Sequence, residues 1–519
     1  PLAILVSCAG LFVPMATAEL TVRIIWPALL LVPLYYAVTQ SVEIVAGRTC
    51  ALVALGLIAL CPSATAQFSV GRIDHHNLQN LAAVASILLL WLNGRVANAG
   101  RRAGIIAAVG IAIGYEALPL VLVTTAAAAI WGMLDRQAAA QMRAYLLWLA
   151  ATFIAAFAAT TPLHRWGDVY CDAISLNMVL LLACGTGGAA LALGRGTAWS
   201  TLVRWGVVSG AGLAGAILYA LAEPKCLAGP MGQTPAALKS VWLAHVPEAQ
   251  SWLLFLAEEP HGAVAVALLF AAAAAFLLNG LRRHFTPADA FYCAVFIVSL
   301  PLAFWQAKYL PYSSALAIVP VAVLIGRLPA IASLSAPTVR LAALLVCNQY
   351  AVMMAVIQLQ QAFSPAHAVT IDAAGETGER ARTSESAACF RNQNLQSLNS
   401  VPPGLMFAAL DLGSHLLADT HHNVLAAPYH RIGPQILDTH AILSARDMAT
   451  AEHDLARVGA HYVLLCPAIR KLITPLDGHP ESLDARLRRG DRLDFLETIE
   501  LPAGSPFKLW RLVARDKTR

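Results

Sequence analysis

Apolar runs long enough to cross a bilayer recur along residues 1–360 and then stop, and this segregation constrains the fold more than any other feature of the chain. Of its charged residues, 30 fall in residues 1–360 and 35 in the 159 that follow. A stretch so poor in charge cannot wrap a soluble core in a polar surface. A bilayer accepts it, since each span needs about 20 mainly apolar residues. The whole chain is 13% charged, against the roughly 25% usual for soluble domains. A soluble multidomain enzyme, a disordered chain and a collagen-like chain are therefore excluded. The net charge of +5 comes mostly from loop arginines and implies no nucleic-acid partner.

Candidate spans lie near residues 20–40, 49–64, 78–93, 144–163, 173–194, 202–222, 262–280, 289–305, 309–327 and 341–360. The run 103–134 is too long for one span and reads as two short ones, turning at Glu116-Ala117-Leu118-Pro119. Residues 1–15 form a partial span or a surface helix. The count is about twelve, within 11–13. Twelve loop arginines from Arg48 to Arg340 share one side, against six basic residues opposite, so the arginine-rich side is cytoplasmic. The loops 65–77, 164–172 and 223–261, the turn 305–309 and the tail then face outward together.

The chain thus divides into a transmembrane domain, 1–360, and an extracytoplasmic domain, 361–519, whose first 40 residues read as a polar linker. Short apolar strands at 405–410, 423–427 and 461–466 alternate with helical stretches such as 451–458. A strand pair near 493–499 and 507–513 ends the tail. The expectation is a polytopic α-helical membrane protein carrying a small α/β domain. Six of the ten cysteines lie in or beside apolar runs, while Cys171, Cys226, Cys389 and Cys466 all fall on the outward side. An even number in an oxidising compartment pairs as Cys171–Cys226 between two outer loops and Cys389–Cys466 within the tail.

Four polar constellations fall on the outward face. In Gly71-Arg72-Ile73-Asp74-His75-His76-Asn77, four ionisable groups fall within five consecutive residues at a membrane boundary, which is costly unless they are solvated or bind something. Asp74 and His76, two apart at a helix start, can aim at one point while His75 points elsewhere. A carboxylate with an imidazole suits a divalent cation such as Mn or Mg; a helix cap with histidines among headgroups is the plainer alternative. His245-Val246-Pro247-Glu248-Ala249-Gln250-Ser251 offers Glu248 in the long outer loop, in competition with Glu258 and Glu259. Lys308, flanked by aromatics in the run 305–312, reads by itself as an interfacial anchor. Ala409-Leu410-Asp411-Leu412-Gly413, followed by Tyr429 and several histidines, reads as an acidic site or as a strand ending in an Asp-x-Gly turn. Glu116, alone in the apolar hairpin, receives no role.

The segment Val70–Leu81 resembles the Asp-His-His variant of the second acidic motif in the oligosaccharyltransferase catalytic-subunit family, GT-C glycosyltransferases that use polyprenyl-linked donors. The resemblance implies a GT-C fold and a metal held by Asp74, His76 and Glu248, with Asp74 and Glu248 catalytic. It places Lys308 and Arg72 at the donor pyrophosphate and Asp411 at the acceptor. The 409–413 segment is similar to the family's Trp-Trp-Asp-Tyr-Gly signature, but Ala409 and Leu410 replace both Trp, leaving Tyr429 as a substitute aromatic. The family's earlier acidic motif has no counterpart, since no Asp precedes Asp74; the chain opens on Pro inside an apolar run, and that motif is expected upstream of it.

The implied activity is an inverting, metal-dependent transfer of a sugar or oligosaccharide from a polyprenyl-(pyro)phosphate carrier, in a bacterial inner membrane with the tail periplasmic. The acceptor is left open, and selection of a standard Asn-x-Ser/Thr sequon is not expected. The rival readings are a transporter or flippase of lipid-linked sugars and a non-catalytic protein of the same fold. The sequence shows neither the inverted repeats nor the interrupted midplane helices of a transporter.

Overall fold

The computed structural model describes residues 2–254, 260–281, 286–363, 385–470 and 472–513. It contains two compact units. The first comprises 1–233 and 251–360; the second comprises 234–250 and 361–519.

The first unit is helical. Among the described residues, seven helices are long and apolar enough to span a membrane, from Met15–Ala46 to the stretch Ala307–Gly326. Two further pairs, Arg48–Ala59 with Pro62–Phe68 and Ala336–Cys347 with Gln349–Leu359, qualify only as bent spans, kinked by 74° and 68°. The chain is a multi-pass membrane protein. The remaining candidates from the sequence are helices of 16, 15 and 17 residues, His76–Trp91, Ala99–Ile113 and Leu118–Leu134. They are as short as the sequence reading expected, polar turns taking their ends. The turn between the last two falls at 114–117, and Pro119 lies in the first turn of the helix that follows, where its missing N–H costs nothing.

The helix Leu310–Gly326 has no polar face, and all of its residues but one are buried. It packs against Arg48–Ala59, Pro260–Leu281 and Pro287–Trp305, as a helix apolar all round must. Gly100 and Gly104, four residues apart, let Ala99–Ile113 lie directly on Ala139–Thr160. A Cβ at Gly104 would come within 2.5 Å of the Tyr145 carbonyl oxygen. That contact fixes the hairpin whose turn carries Glu116. A disulfide joins Cys171 to Cys226, with Cα atoms 4.9 Å apart.

The second unit holds a five-stranded sheet in the order β2-β1-β3-β5-β4, where β1 is Leu405–Phe407, β2 Asn423–Val424, β3 Tyr462–Leu465, β4 Leu496–Ile499 and β5 Lys508–Leu512. The first three strands are parallel and joined through helices, whereas β5 pairs antiparallel with β3 and β4. Side chains alternate between two cores. Met406 and Leu464 join Cys389, Leu395 and Leu398 on one face, while Phe407, Val463 and Leu465 join Ile442 and Trp510 on the other. Residues 385–400 are therefore not linker: Leu395 and Leu398, three apart on consecutive helical turns, are fully buried beside the Cys389–Cys466 disulfide. Leu238 and Trp242 of the 234–250 segment are buried against Leu410, Ala426 and Ile436.

Candidate functional site

Gly71, at φ +86°, turns the chain, and its N–H bonds the Arg23 carbonyl. Arg72 then donates Nε to Asp74 Oδ2 at 2.6 Å. Asp74 Oδ1 accepts the His76 backbone N–H at 3.1 Å and faces His76 Nδ1 across 3.5 Å. Asp74 thus does what a helix cap does while sharing a point with His76. Burial would raise its carboxyl, but His76 and the Arg72 guanidinium outweigh this and hold it at about 2. It is ionised at neutral pH. His76 itself is buried, and its Nδ1 has no hydrogen-bond partner.

His75 departs from the sequence expectation. Its backbone, at φ −78° and ψ −15°, already has the helical conformation just before the helix that starts at His76. The His75 ring consequently stacks on His76, with centroids 4.4 Å apart and planes at 26°, instead of pointing away. Its Nε2 meets Glu116 Oε1 at 3.2 Å, and Gln79 Nε2 donates to Glu116 Oε2 at 2.8 Å. Burial raises the Glu116 carboxyl, yet His75 and Gln79 pull it below the usual carboxylate range. Ligand atoms of His75, His76 and Glu116 lie within 4.8 Å of one another. These three can hold a divalent metal.

The turn bearing Lys308 leads into the helix Leu310–Gly326, with Tyr309 and Tyr312 both buried. The Lys308 ammonium lies 5.6 Å from the Tyr309 ring centroid. Arg72, Asp74 and His76 are therefore in contact.

Glu248, Asp411 and Tyr429 belong to the second unit. Glu248 sits half-buried in the short 3-10 turn Pro247–Ala249; Glu258 and Glu259 lie outside the described residues. Asp411 is in the first turn of the helix Leu410–Asp419 rather than in an Asp-x-Gly turn. Both of its carboxylate oxygens accept the Ile473 N–H, at 3.2 and 3.3 Å. Burial raises its carboxyl, with that N–H offsetting only part of the effect. Tyr429 is exposed, its ring 5.2 Å from that of His430.

No protein-family model matches the chain, and no curated protein matches it by sequence. Solved structures do. The archaeal oligosaccharyltransferase AglB from Archaeoglobus fulgidus, in complex with an inhibitory peptide and a dolichol-phosphate, matches with a TM-score of 0.64 and 14% identity, over 96% of this chain and 70% of that one. The fold is that of an oligosaccharyltransferase. The same archaeon's enzyme tethered to an acceptor peptide containing an NVT sequon gives 0.56 at 16% identity, over 90% and 60%. Its complex with zinc and sulfate gives 0.51 at 16%, over 89% and 58%. The chain spans 58–70% of the length of these structures, and at such identity the likeness is one of fold.

His75, Gln79 and Glu116 escaped the sequence reading as partners in one site. The available signal was Glu116, since a lone carboxylate between apolar helices is costly without a partner. What could not be read was which partner, because Glu116 and Gln79 are 37 residues apart.

Proposed function

We propose that the protein is a membrane glycosyltransferase that moves a sugar or oligosaccharide from a polyprenyl-(pyro)phosphate carrier to an acceptor, in the manner of an oligosaccharyltransferase. The observation that carries this reading is the Arg72–Asp74–His76 contact at the start of the His76–Trp91 helix, in a chain with the oligosaccharyltransferase fold. Support for a lipid-linked donor comes from AglB, which was solved with dolichol-phosphate. Support for a metal comes from the zinc complex of a neighbour and from the buried His76 beside the ionised Asp74 carboxylate.

Asp74 and His76 would hold the ion. Imidazole donors favour Mn over Mg. When bound, such an ion neutralises charge building on the donor phosphate as the sugar leaves. Arg72 orients Asp74 and keeps it ionised. Lys308 brings a positive charge toward the leaving phosphate, a point charge rather than a bidentate fork. Asp411 and Tyr429 would meet the acceptor, and the absence of Trp at 409 and 410 argues for something other than a standard sequon. We place the protein in a bacterial inner membrane, with the 361–519 domain periplasmic and the domain 1–360 spanning the bilayer. Alanine at Asp74 or His76 in the full-length protein should abolish transfer from a labelled lipid-linked donor. Full activity of Asp74→Ala, or activity unchanged by excess chelator, would overturn the metal-dependent reading.

A further inference from the structure

We propose that the first unit carries a binding site for an anionic phospholipid at the corner where the helices Arg48–Ala59, Leu310–Gly326 and Ala336–Cys347 meet. The site lies on the side that the loop arginines mark as cytoplasmic, and it is independent of the transfer reaction.

The corner gathers positive charge and no negative charge. Gly326 lies against Cys50: a Cβ there would fall 2.5 Å from Cys50 Sγ and 2.8 Å from its Cα. Arg327 is thereby brought to the start of the helix that Arg48 opens. Arg340 donates Nε to the Leu328 carbonyl at 3.0 Å, which adds a third guanidinium. Arg48 and Arg327 are exposed, and Arg340 is half-buried. No Asp or Glu occurs in residues 44–73 or 290–371. Glu43, just before the first of these stretches, accepts Gln40 Nε2 at 2.9 Å. Among the described residues of the first unit, the arginines ion-paired with a carboxylate are Arg72 and Arg165, both on outward loops.

Two helices begin at this corner, and neither has an acidic residue in its first turn. The second unit follows the opposite rule, with Asp411 and Asp484 opening Leu410–Asp419 and Leu483–Arg489. Arginine near the positive end of a helix is unfavourable unless an anion offsets it. Here the chain supplies none, so the anion comes from outside. A headgroup phosphate fits, since guanidinium forks match its oxygens. Three arginines without a carboxylate favour a headgroup of net negative charge over a zwitterionic one.

Apolar surface adjoins the arginines and calls for acyl chains rather than free phosphate. The connection after Arg327 folds back on itself: Ile331 N–H donates to the Leu334 carbonyl at 3.2 Å, and Leu334 N–H to the Ile331 carbonyl at 2.9 Å. Ala332, at φ +51°, makes the turn. Ile331 and Leu334 are thus held side by side, 53% and 50% exposed. An apolar pair beside arginines suits the boundary between headgroups and acyl chains. Gly56 closes the seam between the two helices, where a Cβ would lie 3.1 Å from Leu344 Cδ1. Leu341 and Leu345, four apart on one exposed face, continue from Arg340 along the span.

The test is native mass spectrometry of the full-length protein in detergent, with phosphatidylglycerol and phosphatidylcholine added together. The expected result is one phosphatidylglycerol retained in preference to phosphatidylcholine. Arg48→Gln with Arg327→Gln should weaken that binding by about 25-fold, at about 5-fold for each arginine near a headgroup. Arg340→Gln, with about 5-fold expected, keeps the test open if the double variant fails to fold. Arg101→Gln with Arg102→Gln removes the same charge from the start of Ala99–Ile113 and should leave binding unchanged. Glycerol 3-phosphate in large excess should not displace the lipid. Equal retention of the two lipids by the parent would overturn the proposal. So would equal loss on the Arg101 and Arg102 change, which would spread the effect over the whole arginine-rich face, or displacement by glycerol 3-phosphate, which would make the occupant a free phosphate.

Discussion

Replacing Gly413 by Ala tests whether the Asp411-Leu412-Gly413 segment is built for packing. A Cβ at this position would lie 2.0 Å from the Ala426 carbonyl oxygen and 2.9 Å from both the Ala426 carbonyl carbon and Ala427 Cα. Ordinary contact starts near 3.4 Å, so about 1.4 Å of movement is required. Every obstructing atom is backbone. The obstructing segment is anchored by Leu425 N–H on the Met406 carbonyl, and the Gly413 helix by Asp411 on Ile473 and by buried Leu410, Leu412 and Leu416. With neither side free to yield, the cost sits at the upper end of the roughly 1–3 kcal/mol typical of overpacking. For a unit of this size, about 3 kcal/mol lowers Tm by roughly 6–12 °C. The assay is thermal unfolding of the full-length protein in detergent, followed by circular dichroism. Ser414→Ala, on the exposed side of the same helix, serves as control and should stay within about 0.5 kcal/mol of the parent. A Gly413→Ala protein that melts with the parent would refute the packing argument, and one that melts normally yet loses transfer would assign Gly413 to the acceptor.

Further outcomes follow from the same geometry. His422 is buried, with Nδ1 accepting the Gly404 N–H and Nε2 meeting the Leu398 carbonyl. Burial lowers its pKa from the ordinary 6.5, so the unfolded chain takes up the proton first and stability falls as pH drops through and below about 6.5. Thermal melts from pH 8 to 5 should show that decline, and His422→Gln should flatten it; a parent melting point constant across the range contradicts the assignment. The Cys389–Cys466 bridge closes a separation of 77 residues, and its removal by Cys→Ser at both positions should cost about 4 kcal/mol on loop entropy. Maleimide labelling of Cys171, Cys226, Cys389 and Cys466 without reductant would exclude both bridges. Given a peptide with an Asn-x-Ser/Thr sequon and a labelled lipid-linked donor, the protein should transfer poorly, because Ala409 and Leu410 cannot supply the aromatic walls that hold a hydroxyl-bearing residue; efficient, Ser/Thr-dependent glycosylation would overturn this.

The membrane unit was legible because its signal is local. The apolar runs singled out from the sequence are helical over most of their described parts, and only the two bends were missed. The breaks near Cys61 and Asn348 are joined through Ser63 and Gln349, 286 residues apart, which no window along the chain can see. Strand positions in the second unit follow from short apolar runs, whereas the ordering of 385–400 depends on a sheet face and a disulfide formed elsewhere. At the site, Asp74 and His76 are close in sequence and were readable as a pair. Glu116 was visible as an anomaly but not as a partner, and the hold of Ile473 on Asp411, 62 residues apart, could not be read along the chain.

The central claim is metal-assisted release of a sugar from a polyprenyl carrier. Its most direct measurement follows labelled polyprenyl-pyrophosphate-linked sugar incubated with the full-length protein in vesicles of its own membrane lipids. The account predicts metal-dependent loss of label from the lipid, halted by chelator and by Asp74→Asn, with the label recovered on a second molecule. Donor that stays intact on the parent protein with divalent metal present, or is consumed equally by Asp74→Asn, would contradict it.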